Sequence, residues 1–256
     1  MKSEQNKACL EELLRSKYEK FNKCYEAAYK GNNYEERDEY RLVIESTKKL
    51  TENEETNKPE TNALIAYMLL KTSRLRAIIN NIARVPDLKN QNRMLWDKSM
   101  IEDGLEFLNK SAGGSTVTEY HLRAGICACH SLAKDYESTD WKQIISLYDQ
   151  YLEINHSIEI AIERAQLVSE IEGPRAAVNT LVDLDPKDSS TKSKVVSAHL
   201  GELYIKLNEY DHAIDHLSKS HELSDCTKER ISYLNRIEFC KKRLQLSKKY
   251  EQVLSF

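Results

Sequence analysis

The sequence predicts an all-α protein built from antiparallel helical hairpins, and three observations carry that expectation. Only 7 Gly and 4 Pro occur in 256 residues, too few for the turns that an all-β or α/β chain requires. Between breaks rich in Gly, Pro, Ser and Asn, apolar residues recur at spacings of three and four. No alternating strand of useful length and no Asn-Gly hairpin turn interrupts that pattern.

Along the chain, the breaks are Thr51–Pro59, Asn109–Thr118, Glu172-Gly173-Pro174 and Asp185–Ser193. At the third, Gly stops one helix and Pro starts the next, because Pro is tolerated in a first turn. Ile144, Leu147, Tyr148 and Tyr151 mark one amphipathic helix, with Thr139-Asp140 as its start signal. Ile160, Ile162, Ala165, Val168 and Ile171 mark another. The pattern predicts roughly ten helices. Residues 1–17 are read as a lead-in helix and 18–256 as one helical domain, with the 109–118 loop as its candidate internal boundary.

One hairpin carries a repeat signature. Leu200-Gly201, Tyr204 and Ala213 fall at the Leu-Gly, Tyr and Ala positions of a tetratricopeptide unit. Gly201 and Ala213 let two helices approach, while Tyr204 and Leu217 fill the space around them. Ser197 stands where the unit usually has Trp, and no clean second copy lies 34 residues away. A degenerate right-handed helical solenoid of tetratricopeptide-like hairpins is expected. Lys228–Tyr250 is read as its terminal helix, with Ile231, Leu234, Ile237 and Leu244 buried and a basic outer face.

Charge and chemistry exclude more than they assign. With 38 Lys+Arg against 41 Asp+Glu the net charge is −3, which gives no global attraction to nucleic acid or anionic lipid. The start, Met1–Leu14, is polar, and no apolar run approaches the ~18 residues of a membrane span. A cytoplasmic location is expected, with the six cysteines as thiols. No phosphate loop, dinucleotide fingerprint or His-Glu-x-x-His motif is present. Cys127, Cys129 and His130 tempt a metal reading, but on a helix Cys129 points away from the other two. No catalytic residue, metal or cofactor is expected.

Two local features stand out. Lys71, Arg74, Arg76, Arg84, Lys89 and Arg93 face only Asp87 in their stretch, while Glu35–Glu60 is rich in acids. This pattern reads as a solvated face with internal ion pairs, or as a polarised docking surface. Within Gln91–Asp97, Arg93 and Asp97 are four apart and are expected to pair on one helical face, with Trp96 anchored in the core.

Seven segments, in order from about Tyr18 onward, carry a family resemblance. They are Phe21-Asn22 with Tyr25, then Ala63-Leu64 with Ala66 and Met68-Leu69-Leu70, then Gln91, Arg93 and Trp96-Asp97. Tyr120, Leu122, Ala124, Ile126, Ala128 and His130 follow, then Thr139-Asp140-Trp141 with Ile144 and Leu147-Tyr148, then Arg164-Ala165 and Gly173-Pro174. Together they resemble the C-terminal, tetratricopeptide-like extension of a group of extracytoplasmic-function (ECF) RNA polymerase sigma factors of bacteria. The family's two promoter- and polymerase-binding regions have no counterpart in residues 1–17, so direct DNA binding is not expected of this chain. Asn90 and Asn92 stand where the family has acids, and Lys17-Tyr18-Glu19-Lys20 is more charged than its family equivalent.

The resemblance implies a non-enzymatic regulatory domain whose protein partner belongs to the transcription machinery, RNA polymerase or a sigma factor. Arg74, Gln91, Arg93, Asp97 and Asp140 are the candidate contacts, as polar residues within motifs that packing alone does not explain. Phe21, Asn22, Tyr25, Trp96, Tyr120, His130, Trp141, Tyr148, Gly173, Pro174, Gly201, Tyr204 and Ala213 are expected to shape the fold. The alternative is a small-molecule-sensing solenoid whose groove is lined by some of the 14 tyrosines.

Overall fold

The computed structural model describes residues 2–30, 39–79, 88–184 and 190–254. Every regular element among them is helical. The chain divides into two compact units, Met1–Ile154 and Asn155–Phe256; the 109–118 stretch lies inside the first.

The first unit is organised around α3 (Pro59–Thr72). Its sequence is apolar all round, which suits a helix enclosed on every side, and residues Thr61 through Leu70 are all buried. Pro59 occupies the first turn, where its missing N–H costs nothing. Around it stand α1 (Lys2–Lys30), α2 (Glu39–Lys48), α5 (Lys98–Ser111) and α6 (Glu119–Leu132). A short helix, α4 (Leu75–Ile79), follows α3, and α7 (Trp141–Ile154) packs on α6. Residues 2–17 and Phe21 belong to one continuous helix, whose Leu10, Leu14, Phe21 and Tyr25 enter the core. On α5, Gly104 lets α3 approach so closely that a Cβ would stand 2.7 Å from Leu70 Cγ.

The second unit runs through α8 (Ile158–Ile171), α9 (Pro174–Leu181), α10 (Ser190–Lys206), α11 (Tyr210–Glu222) and α12 (Thr227–Leu254), each packed on the next in the chain. Gly173 separates α8 from α9 at φ +97°, a conformation that admits Gly and strains any residue with a Cβ. The turn between α10 and α11 instead uses Asn208 at φ +60°, the other residue type that tolerates it. Leu200, Ala213 and Leu217 are buried between α10 and α11, with Tyr204 stacked on His216 at 5.4 Å.

Two expectations are corrected. The 185–193 loop shortens, because Ser190–Ser193 already belong to α10, while 185–189 lie outside the described residues. On α12 the buried stripe is Tyr233, Ile237 and Cys240, whereas Ile231 and Leu234 are 55% and 50% exposed. Tyr233, Ile237 and Cys240 share the inner face at i, i+4 and i+7, and Ile231 and Leu234 are rotated off it.

The described cysteines are free thiols. Among the described residues no helix is long and apolar enough to cross a membrane.

Candidate functional site

Three of the five polar candidates meet at one place in the first unit. The chain leaves α3 through Ser73, whose hydroxyl donates to Leu70 O at 2.7 Å and whose carbonyl accepts from Asp97 N at 2.8 Å. That second bond pins the Gln91–Asp97 segment to the end of α3. Arg74 then donates from Nε to Gln91 Oε1 at 3.2 Å, and Gln91 is buried.

Arg93 opens a 3-10 turn, Arg93–Leu95, capped by Asn92, whose side chain accepts from Met94 N at 3.0 Å. This turn corrects the expectation of an Arg93–Asp97 ion pair on one helical face. The backbone extends at Trp96 and Asp97, so the two side chains take different jobs. Asp97 becomes the N-cap of α5, accepting from Met100 N at 3.1 Å. Arg93 donates from one terminal nitrogen to His130 O and Ala133 O, both at 2.7 Å, and lies 3.5 Å from Thr139 Oγ1 with the other. A cation there satisfies carbonyls left open at the C-terminus of α6 and complements the helix dipole.

Trp96, 5% exposed, forms the floor. Both guanidiniums lie over its ring, with Cζ 4.6 Å from the centroid for Arg93 and 5.4 Å for Arg74. His130, on α6, contacts Trp141 edge-on at 5.5 Å, and Tyr136 packs on the same indole at 4.6 Å. Asp140 starts α7, accepting from Gln143 N at 2.9 Å.

The electrostatics are unusual. Neither Arg74 nor Arg93 forms an ion pair with a described carboxylate. Burial holds the Arg93 guanidinium below its ordinary range and Arg74 adds to that, while Asp135 and Glu137 at longer range partly offset it. His130 is pushed down to about 3, first by burial and then by Arg74 and Arg93, so its imidazole is neutral. Two polar atoms of the cluster, Trp96 Nε1 and His130 Nδ1, are buried with no hydrogen-bond partner.

A second network explains the motif at Phe21-Asn22. Asn22 Oδ1 accepts from Lys71 Nζ at 2.7 Å and from Tyr67 OH at 3.0 Å, joining α1 to α3. Tyr25 lies beneath the same ammonium at 4.9 Å. On α6, Arg123 is held between the rings of Tyr18 and Tyr151 and donates to Tyr151 OH at 2.7 Å, and that hydroxyl donates to Glu119 at 2.7 Å. These groups hold the helices together. Asn22→Ala leaves Lys71 and Tyr67 without their shared acceptor, at an expected cost of about 1–3 kcal/mol. Urea unfolding of the first unit reads it, and an unchanged midpoint would count against the clasp.

The basic stretch is only partly visible in the structure. Lys71 donates to Asn22, Arg74 and Arg93 bond to neutral acceptors among the described residues, and Arg84 and Asp87 lie outside the described residues. An open cleft of 480 Å³ lies elsewhere on the first unit, lined by Thr51, Asn57, Lys58, Pro59, Asn62, Phe107 and Lys110. Its Lys110 is already paired with Glu106 at 2.6 Å.

Sequence reading missed the convergence of Trp96, His130 and Thr139 on Arg93. Its only available signal was the clustering of Arg, Trp and His within the resembling motifs, since an arginine bonded to backbone carbonyls leaves no complementary residue to find.

Two comparisons with known proteins found a similarity. The chain is 36% identical over 120 residues to "Uncharacterized protein R00370" of Rhizobium meliloti (strain 1021). That alignment takes in 47% of this chain and spans 28% of the relative's own length. No solved structure matches. Residues 10–112, which hold the Asn22 clasp and the Arg74, Gln91, Arg93 and Trp96 part of the cluster, match DUF6596, a family of unknown function.

Proposed function

We propose that the chain is a non-enzymatic protein-interaction domain acting in transcription regulation, and that Arg74, Gln91 and Arg93 form its contact surface. The observation that carries this reading is the half-buried arginine pair, without an acidic partner among the described residues, beside two exposed apolar side chains. Met94 is 83% exposed immediately after Arg93, and Leu132 is 68% exposed between the two carbonyls that Arg93 binds. Large apolar groups next to desolvated guanidiniums are the usual makings of an interface centre. The resemblance to the ECF sigma-factor extension supports RNA polymerase or a sigma factor as partner and a cytoplasmic setting. The successive packing of α8 through α12, with its tetratricopeptide-like pair α10–α11, supports a solenoid as the architecture.

Asp97 and Asp140 serve as helix caps, which makes them poor probes of binding, and Arg93 has a structural duty of its own. Arg74→Glu is the better variant, because Arg74 gives up only one bond to Gln91. Tagged wild-type and variant protein are expected to differ in a pull-down from the native cells, with polymerase subunits or a sigma factor recovered by the first and depleted in the second. Recovery of neither by the wild type would end the transcription reading, and equal recovery by both would move the contact elsewhere.

The alternative, small-molecule sensing, is favoured by one observation, the unpartnered indole N–H in this same cluster. Tyr18, Tyr25, Tyr67, Tyr120 and Tyr151 instead pack on one another or on Lys71 and Arg123.

A further inference from the structure

The geometry points to an oxyanion site at the Arg74–Arg93–Trp96 cluster, one that takes a carboxylate or phosphate group. Two cations share one aromatic floor with no ion pair to a carboxylate among the described residues, an arrangement that repulsion disfavours until an anion enters. Part of the donor capacity is already committed. Arg74 Nε is taken by Gln91, and one terminal nitrogen of Arg93 is taken by His130 O and Ala133 O. The terminal nitrogens of Arg74 remain, with no hydrogen bond among the described residues, and they present the planar fork that suits a two-oxygen acceptor.

The second observation is independent of charge. Trp96 is 5% exposed and its Nε1–H has no acceptor. A buried indole N–H almost always finds a partner, and leaving one unpaired is costly. Both guanidiniums lie over that indole ring, so an oxygen accepting from its N–H edge stands next to two positive charges. His130 adds a neutral imidazole whose Nδ1 is also unpartnered, and as the appropriate tautomer it supplies a further donor. A chloride-like sphere satisfies the charge, but only an oxyanion can accept from a fork and an indole through different oxygens. The inference needs no protein partner, so it stands or falls apart from the reading above.

The chain's two tryptophans, Trp96 and Trp141, both lie in this cluster, which supplies the readout. In Trp141→Phe, Trp96 is the sole indole, and its fluorescence is titrated at pH 7 with sodium phosphate and with sodium acetate against sodium chloride at matched ionic strength. A saturable change with phosphate or acetate and not with chloride is expected, and whichever anion gives the lower midpoint identifies the group. Arg74→Gln is expected to weaken that binding at least tenfold. Arg74→Lys keeps the charge without the fork, is the gentler change for folding, and should also weaken binding. A response that never saturates, that chloride reproduces, or that both Arg74 variants retain would overturn the site.

Discussion

Gly201→Val should unfold the second unit at markedly lower urea while leaving the first unit's midpoint in place. A Cβ at position 201 would stand 2.7 Å from Leu217 Cγ and 2.9 Å from its Cδ2. Leu217 is fully buried, and a backbone oxygen, Ala213 O, lies 3.5 Å away on the same side. Little can give way, so the expected loss is about 3 kcal/mol, at the upper end for overpacking a core. The small gain in helix propensity from replacing Gly does not offset it. Leu217→Ala alone opens a cavity and should cost about 2–5 kcal/mol. Because the two changes concern the same space, the double variant should be less damaged than the sum by about 1 kcal/mol or more. Circular dichroism reports both units and tryptophan fluorescence only the first, so the two probes should separate in Gly201→Val. Additive losses, or coincident shifts in both probes, would show that α10 and α11 do not meet at this glycine.

Acidification should destabilise the first unit well above the pH at which its carboxylates protonate, and His130 should be responsible. Its folded pKa is about 3, against 6.5 for the ordinary group. Between those values the unfolded chain binds a proton that the folded chain refuses, so stability falls as pH drops through that window and is flat above it. The slope is about 1.4 kcal/mol per pH unit, which gives a loss of about 2 kcal/mol between pH 7 and pH 5. His121 is also held below its usual value by burial and adds to the slope, so a variant is needed to isolate His130. His130→Leu fills similar space, removes the unpartnered Nδ1, and should be within about 1 kcal/mol of wild type at pH 7. It should then lose about 2 kcal/mol less than wild type on going to pH 5. Parallel losses in the two proteins would place the acid sensitivity elsewhere.

Helix identity was largely legible because it depends on local pattern. Pro59, Gly173-Pro174 and Thr139-Asp140 each mark an end where the structure has one. The Ala63–Leu70 run, read in the sequence only as a resembling motif, is the buried centre of the first unit. What failed was whatever required knowing which side of an element faces its neighbour. On α12, of the aliphatics read onto one side Ile237 is buried, but Ile231 and Leu234 are exposed and Tyr233 and Cys240 complete the inner face. At Arg93, spacing assumed a helix that is only one 3-10 turn, and the supposed partner Asp97 went to a cap. The repeat signature was readable at Gly201 because close approach demands a missing Cβ. The partners of Arg93 were not, because they are carbonyls, which every residue carries.

Those carbonyls tie the fate of two distant segments together. Arg93 reaches 37 and 40 residues along the chain to the last turn of α6. That turn, in turn, sets the loop on which Tyr136 and Thr139 meet Trp141 and the guanidinium. Such a link makes the Gln91–Asp97 turn and the end of α6 a single cooperative unit of local opening. A fluctuation that releases one releases the other, and it uncovers the indole and the imidazole in the same event. Whatever occupies the cluster therefore acts as a brake on that opening, so occupancy at the surface is transmitted as rigidity to a helix end distant in sequence.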